Sequence, residues 1–250
     1  MAESSPQFAV VLVAAGRSTR FSGVYKKPFA PLDGRAVWLH SAERFVNRDD
    51  VSRVVVVVSD EDREEFDQKF GANVMILGLA VCRGGKERAD SVRSGLAKVG
   101  DAEFVAVHDA ARPCVTDKEI DSLFDRTRAT GAAILASPVA STLKRVESTG
   151  EGAMIGETVP RVGLWAAQTP QAFRRDLLER AYAADDVATA TDDAQLVERL
   201  GERVAIVEGS PLNLKITTKA DLKLAEQILR VKPPPKSKGV NPFADDDLWR

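Results

Sequence analysis

Short apolar runs that alternate with amphipathic stretches constrain the fold of this chain more than any other sequence feature. Residues 54–58 are five consecutive valines, and the run 53–59 has the length of a buried strand. Similar runs occupy 8–13, 104–107, 132–136 and 204–207. Helical spacing of apolar residues covers the stretches between them: 36–46, 60–70, 87–99, 118–130, 174–183 and 192–200. Strands that alternate with helices predict an α/β fold with a doubly wound, mostly parallel sheet.

Composition narrows the class of protein. The hydrophobic share of 44% and the charged share of 29% are ordinary for a soluble globular enzyme. A formal net charge of −2 argues against a nucleic-acid-binding protein, which usually carries a basic face. No apolar run approaches the length of a membrane span, and the first seven residues lack an apolar signal core. We therefore expect a cytoplasmic protein with neither a nucleic-acid nor a membrane partner.

The two cysteines, Cys82 and Cys114, lie in no metal-ligand spacing and are too few for a disulfide framework. We expect both to be buried, reduced thiols.

Residues 141–165 break the alternation of strands and helices. Turn residues at 148–152 separate two extended pieces, 142–146 and 153–159, which predicts a hairpin or β-arm that projects from the domain. An isolated two-stranded arm is marginal in water. A second subunit is the natural partner for its apolar residues, although a surface loop folded back on its own domain is the alternative. Those residues are Leu143, Val146, Met154 and Ile155.

The segment 231–250 has the composition of a disordered tail. It contains three consecutive prolines, followed by lysine and aspartate runs, and shows neither helical nor strand periodicity. The predicted organisation is one domain over 1–230, with the arm at 141–165, and a tail over 231–250.

The first apolar run leads into a small, basic loop at 14–20. Small residues let the backbone approach a ligand, and successive N–H groups can bind phosphate oxygens. The spacing matches neither the dinucleotide fingerprint nor a P-loop. A solvated basic turn would look similar, so the loop alone is weak evidence. The cations around it are Arg17, Arg20, Lys26 and Lys27.

An acidic residue follows the run 104–107. Asp109 would lie at the carboxyl end of a buried parallel strand, where open α/β sheets bind ligands. A carboxylate there suits Mg²⁺, which proteins usually hold through one or two carboxylates and substrate phosphates. A helix N-cap or turn role is the alternative for Asp109. For the neighbouring His108 we favour a hydrogen-bonded core histidine.

Seven motifs occur in an order that resembles a known enzyme family. The order is Ala14-Ala15-Gly16 with Lys27, Gly84-Gly85-x-x-Arg88-x-x-Ser91-Val92, His108-Asp109-Ala110-Ala111-Arg112-Pro113, Gly163-Leu164-Trp165, Gln168-Thr169-Pro170-Gln171, Thr191-Asp192-Asp193 and Asn213-Leu214-Lys215-Ile216-Thr217. Together they resemble the 2-C-methyl-D-erythritol 4-phosphate cytidylyltransferases of the non-mevalonate isoprenoid pathway. The resemblance covers about Phe8 to Leu229.

The resemblance implies a Rossmann-like nucleotidyltransferase fold and a homodimer formed through the β-arm. It implies transfer of CMP from CTP to a sugar-alcohol phosphate, with release of pyrophosphate. Arg20 and Lys27 would stabilise the transition state, and Asp109 would bind Mg²⁺. The residues implied for CTP are Ala14, Ala15, Gly16, Gly85, Arg88 and Ser91. The residues implied for the acceptor are Arg112, Thr142, Arg161, Thr191 and Lys215.

Several alternatives stay open at this point. The adjacent Lys26 and Lys27 leave undecided which lysine reaches the phosphates, and Lys86 departs from the family pattern near the base. Ribitol 5-phosphate is an alternative acceptor. A non-catalytic nucleotide-binding protein is an alternative of another class, but such a protein would not need Arg20, Lys27, Asp109 and Lys215 together.

Overall fold

The computed structural model describes residues 7–16, 26–149, 152–184 and 186–231. Its strands are, in chain order, β1 (Phe8–Val13), β2 (Pro31–Leu32), β3 (Arg35–Ala36), β4 (Val51–Val58), β5 (Ala80–Arg83), β6 (Phe104–Asp109), β7 (Ala132–Pro138), β8 (Leu143–Thr149), β9 (Gly152–Val159), β10 (Trp165–Arg174) and β11 (Ala205–Glu208). Its α-helices are α1 (Val37–Val46), α2 (Arg63–Ile76), α3 (Arg88–Leu96), α4 (Asp117–Thr130), α5 (Arg175–Tyr182), α6 (Asp193–Arg199) and α7 (Lys219–Val231).

The central sheet of the described residues has seven strands in the order β11-β7-β10-β6-β1-β4-β5. Its pairs are parallel except those of β10, which runs antiparallel to both β6 and β7. The prediction of a doubly wound, mostly parallel sheet is confirmed.

Helices cover both faces of this sheet because its strands are apolar on both sides. Along β1, Val10 and Leu12 pack into one cluster with side chains of α1, α2 and α4. Ala9 and Val11 point to the opposite face, where they meet α3, α5 and α6. This two-sided burial explains why the strands read as continuous apolar runs rather than as alternating ones.

Among the described strands and α-helices, five lay outside the sequence prediction: the two-residue strands β2 and β3, and the longer elements β5, β10 and α7. Strand β10 is not an apolar run, because it contains polar residues and a proline at 168–171, and it was therefore not predicted. Helix α7 packs through Ala225 and Ile228 on a third apolar cluster, which also contains Leu32 and Cys114. Val231, which the prediction placed in the tail, is instead the last residue of α7. The rest of that predicted tail, 232–250, lies outside the described residues.

The predicted β-arm is confirmed as a hairpin. Strands β8 and β9 pair antiparallel, with Leu143 opposite Val159, in a sheet separate from the central one. Val146, Met154 and Ile155 are 57%, 58% and 65% exposed, so the arm carries apolar side chains that its own chain does not cover.

No helix within the described ranges is both long enough and apolar enough to cross a membrane. Cys82 and Cys114 are both buried and are not joined in a disulfide, as predicted.

Candidate active site

Two pockets open at the sheet edge where the parallel strands end. The first, here the glycine pocket, has a volume of about 520 Å³. It is lined by Ala15, Gly16, Lys26, Ser59, Asp60, Glu61, Arg83, Gly84, Gly85, Lys86 and Ser94. The second, here the Asp109 pocket, has a volume of about 220 Å³. It is lined by Arg88, Asp109, Arg112, Ala167, Gln168, Thr169, Gln171, Thr191, Asp192 and Lys215.

The glycine pocket is built by the close approach of two strand ends. The loop after β5 passes so near the end of β1 that a Cβ on Gly84 would lie 2.7 Å from Cβ of Ala15. Ser91 is buried beneath this loop, where its hydroxyl accepts a hydrogen bond from the Gly85 N–H at 3.3 Å. Gly85 therefore lines the pocket, whereas Ser91 supports it from below. Ser94, one helical turn further on, is a lining residue that the sequence analysis missed.

Acidic residues pair with two cations of the glycine pocket, Lys26 and Arg83. Nζ of Lys26 lies 2.7 Å from Oδ1 of Asp62 and 3.5 Å from Glu61. Partial burial disfavours the charge of Lys26, but these carboxylates outweigh it and raise the pKa of the ammonium group. Arg83 pairs in the same way with Asp60 at 3.1 Å.

The two residues predicted to stabilise the transition state cannot be placed at the site. Arg20 lies outside the described residues. Lys27 begins the short 3-10 helix Lys27–Phe29, and its side chain also lies outside the described part of the chain.

The second pocket is centred on the carboxylate of Asp109, with three cations around it. Its Oδ2 lies 2.8 Å from Nζ of Lys215 and 3.6 Å from Nε of Arg112, and its Oδ1 lies 3.9 Å from Nε of Arg88. Burial opposes ionisation of Asp109, but these cations hold its pKa well below the usual range. Asp109 is therefore an anion at any pH near neutrality.

A chain of hydrogen bonds fixes the backbone around Asp109. The Asp109 N–H donates to Oγ1 of Thr169 at 3.0 Å. Nε2 of the His108 ring faces a carbonyl and carries its proton, so Nδ1 accepts a hydrogen bond from the Thr169 hydroxyl at 3.1 Å. The carbonyl to which Nε2 donates is that of Arg112, at 3.1 Å. Burial lowers the pKa of His108 to about 4, so the ring is neutral. The interpretation of His108 as a hydrogen-bonded core residue is confirmed.

The antiparallel direction of β10 brings a further motif to the site. Because β10 runs opposite to β6, its first half lies at the edge where the parallel strands end. There Oε1 of Gln171 accepts hydrogen bonds from the N–H groups of Asp193 and Ala194, at 3.1 and 2.9 Å. Its Nε2 donates to Asp192 at 2.9 Å. These bonds fix the start of α6 and place Thr191 at the pocket wall.

The two arm residues predicted to bind the acceptor stand apart from both pockets. Thr142 and Arg161 are exposed near the base of the arm, and neither lines the glycine pocket or the Asp109 pocket. Arg161 donates a hydrogen bond to the Ala140 carbonyl.

The structure thus brings together most of the described candidate residues. Ala15, Gly16 and Gly85 meet in the glycine pocket, and Ala14 is buried directly behind them. A second group meets in the Asp109 pocket: Arg88, Asp109, Arg112, Thr191 and Lys215. Lys86 in one pocket and Arg88 in the other are two residues apart, so a single loop borders both.

An open α/β sheet with a glycine-lined pocket and a cation-ringed carboxylate at its carboxyl edge defines an enzyme that binds nucleotides and acts on phosphate groups. Comparison with known proteins narrows this class. A sequence model of the family described as 2-C-methyl-D-erythritol 4-phosphate cytidylyltransferase matches residues 8–231. The chain belongs to this family and is a cytidylyltransferase, which confirms the resemblance seen in its motifs.

Individual relatives agree over most of their length. A 2-C-methyl-D-erythritol 4-phosphate cytidylyltransferase of Rhodopirellula baltica is 42% identical, covering 88% of this chain and 94% of that protein. The 2-C-methyl-D-erythritol 4-phosphate cytidylyltransferase of Halalkalibacterium halodurans is 40% identical, covering 90% of this chain and 98% of that protein.

Solved structures show the same fold. A crystal structure of a 4-diphosphocytidyl-2C-methyl-D-erythritol synthase superposes with a TM-score of 0.74 at 35% identity, covering 89% of this chain and 98% of that one. The crystal structure of the 2-C-methyl-D-erythritol 4-phosphate cytidylyltransferase of Thermus thermophilus superposes with a TM-score of 0.71 at 35% identity, covering 88% of this chain and 98% of that one.

Proposed function

We propose that this enzyme transfers CMP from CTP to 2-C-methyl-D-erythritol 4-phosphate and releases pyrophosphate, a step in the formation of isoprenoid precursors. The observation that carries the proposal is the convergence of Arg88, Arg112 and Lys215 on Asp109 beside a glycine-lined pocket. Three fixed cations suit a site that must hold several phosphate groups at once. The names of the relatives supply the acceptor.

The nucleoside of CTP would occupy the glycine pocket. Its volume of about 520 Å³ lies in the range of ordinary ligand sites. Nothing lies within 4 Å of the position that a Cβ on Gly16 would take, so a base and ribose can approach the backbone closely there. The triphosphate would then extend along the 84–88 loop toward Arg88 and the Asp109 pocket.

The chemistry needs no protein base. The acceptor is a phosphate monoester, whose second pKa is about 6, so it is largely a dianion near neutral pH. One of its oxygens attacks the α-phosphorus of CTP, and the bond to the pyrophosphate group breaks. The protein then contributes positioning and charge stabilisation. We assign the latter to Arg20 and Lys27, and the binding of the acceptor phosphate to Lys215, Arg112 and Thr191.

Mg²⁺ fits this site. No cluster of three or more His, Cys, Asp or Glu side chains forms among the described residues, but Mg²⁺ usually needs only one or two carboxylates plus substrate phosphates. Asp109 offers a carboxylate that is ionised near neutral pH. Asp109 would therefore hold the ion, which would add positive charge to the phosphate oxygens when bound.

The acceptor site would be completed by a second copy of the chain. The arm exposes Val146, Met154 and Ile155, which a partner subunit would cover. Thr142 and Arg161 lie near the base of this arm and line neither the glycine pocket nor the Asp109 pocket of their own chain. We propose a homodimer in which these two residues reach the partner's acceptor phosphate.

The proposed organisation keeps one nucleotidyltransferase domain, which includes α7, with the arm as the dimer contact. We place the reaction in the cytoplasm, where cysteines such as Cys82 and Cys114 usually remain reduced thiols.

A coupled assay of pyrophosphate release tests the proposal. Purified protein with CTP, Mg²⁺ and 2-C-methyl-D-erythritol 4-phosphate should release pyrophosphate. The Asp109→Asn variant should be slower by roughly 10²-fold or more, by analogy with the loss of one charge-stabilising group. The matched control is Asp176→Asn, which removes an exposed carboxylate paired with Arg174 and should leave turnover unchanged. A wild-type protein without pyrophosphate release would overturn the proposal.

A further inference from the structure

Arg88, at the end of the loop that borders both pockets, is held by the buried carboxylate of Asp193. Helix α3 begins at Arg88 because Glu87 and Asp90 form a capping box around its first turn. The guanidinium then reaches α6, where its Nη1 and Nη2 donate to the two oxygens of Asp193 at 3.0 and 2.6 Å. A two-point contact of this kind fixes the plane of the guanidinium as well as its position.

Asp193 is itself held in place. Its carboxylate accepts a hydrogen bond from the hydroxyl of Tyr182 at the end of α5. Asp193 is fully buried and Tyr182 is 3% exposed, so neither can contact a substrate. The side chain of Arg88 keeps 32% of its surface exposed and lines the Asp109 pocket. Asp193 thus holds both terminal nitrogens of Arg88, and the Tyr182 hydroxyl holds the Asp193 carboxylate, while Nε of Arg88 lies 3.9 Å from Oδ1 of Asp109 in the pocket.

We infer that Asp193 and Tyr182 are positioning residues, which hold Arg88 at the junction of the two pockets so that it binds the phosphate chain of the nucleotide. The inference rests on the proposed function for the identity of that ligand. A free arginine side chain has rotamer entropy to lose on binding. The contacts with Asp193 remove most of this freedom before the ligand arrives, so they favour binding.

The fold offers a matched control on the same helix. Arg93 also joins α3 to the end of α5, since its Nε and Nη2 donate to the carbonyl of Tyr182 at 2.9 and 2.7 Å. This contact is with backbone oxygen and does not involve Arg88. Loss of Arg93 therefore weakens the packing of the two helices without releasing the guanidinium of Arg88.

A double-mutant cycle on CTP affinity separates the two roles. Calorimetric titration of CTP with Mg²⁺ compares wild type, Tyr182→Phe, Arg88→Gln and the double variant. Tyr182→Phe should weaken CTP binding about fivefold, the size expected for one hydrogen bond. In the Arg88→Gln background the same change should have no further effect, because the group it positions is gone. Arg93→Gln should lower the melting temperature and leave CTP affinity unchanged.

Additive effects of the two single changes would overturn the inference, as would equal weakening by Arg93→Gln. Asp193→Asn should weaken CTP binding more than Tyr182→Phe; if this buried change prevents folding, the Tyr182 cycle decides alone. Since CTP binding is measured without turnover, an enzyme that binds CTP but does not use the proposed acceptor would contradict the proposed function and still decide the positioning role.

Discussion

Nζ of Lys26 lies 2.7 Å from Oδ1 of Asp62, on the turn that follows β4. The pair ties the chain just before the 3-10 helix Lys27–Phe29 to the rim of the glycine pocket. We propose different tasks for the two adjacent lysines. Lys26 is occupied by Asp62 and Glu61, so we assign the phosphate contact to Lys27.

Replacement of each lysine by alanine tests this assignment. Lys27→Ala should lower kcat by about 10²-fold or more, as expected when a charge that stabilises the transition state is lost. Lys26→Ala should change kcat only slightly, and Asp62→Asn should behave like Lys26→Ala because it breaks the same pair. Steady-state kinetics with saturating CTP gives the comparison. A larger loss of kcat in Lys26→Ala than in Lys27→Ala would reverse the assignment.

The pH dependence of the reaction should reflect the acceptor rather than a histidine. The sequence has two histidines, and burial lowers the pKa of both, that of His108 to about 4. The His108 imidazole is therefore already neutral at about pH 6, where the acceptor phosphate dianion becomes protonated, and the pKa of His40 is lowered in the same direction. Below that pH the nucleophile is lost, so kcat/KM for the acceptor should fall tenfold per pH unit. If kcat/KM for the acceptor instead began to fall below about pH 8, the pH profile would indicate a protein base.

Gly84→Ala should weaken CTP binding while the protein still folds. The added Cβ would meet Cβ of Ala15 and Oγ of Ser91, each at 2.7 Å, so the loop must move away from the end of β1. The control is Gly71→Ala on α2, where nothing lies within 4 Å of the added Cβ. That change should stabilise the protein by about 0.5–1 kcal/mol, the usual gain for alanine over glycine within a helix. CTP titration and thermal melts of both variants give the test.

The proposed crossing of the arm predicts complementation between inactive subunits. Arg161→Ala damages a residue that would act in the partner's site, whereas Lys27→Ala damages the chain's own site. After the two variants are unfolded together and refolded, half of the dimers are mixed, and each mixed dimer has one intact site. Activity should therefore return to about a quarter of the wild-type value. A mixture no more active than its parts would favour a site built from one chain.

Most of the fold could be predicted from the sequence because the central sheet is buried on both faces. Runs such as 8–13 and 54–58 are apolar throughout, and strands of that kind are visible without any partner information. Strand β10 shows the limit. Its polar half binds the loops at 108–112 and 191–194 rather than filling the core, so its strand character depends on neighbours far along the chain.

The candidate site was predictable in its residue types but not in its pairings. Asp109 was expected because an acidic residue follows a buried strand, and the structure places it in a pocket. Arg112 is three residues away from Asp109, but the other two cations come from distant parts of the chain, Arg88 from α3 and Lys215 from the segment before α7. The contacts of Arg88 with Asp193 and of Lys26 with Asp62 likewise join segments whose proximity only the folded sheet creates.

The choice of acceptor is the most direct test of the proposed function. Values of kcat/KM for 2-C-methyl-D-erythritol 4-phosphate and for ribitol 5-phosphate should be measured with the same CTP and Mg²⁺, by pyrophosphate release and by mass spectrometry of the CDP-linked product. We expect the methylerythritol phosphate to be preferred by roughly 10²-fold, a discrimination that one methyl group and a different set of hydroxyls can supply. Turnover of ribitol 5-phosphate with no product from the methylerythritol phosphate would contradict the proposed function.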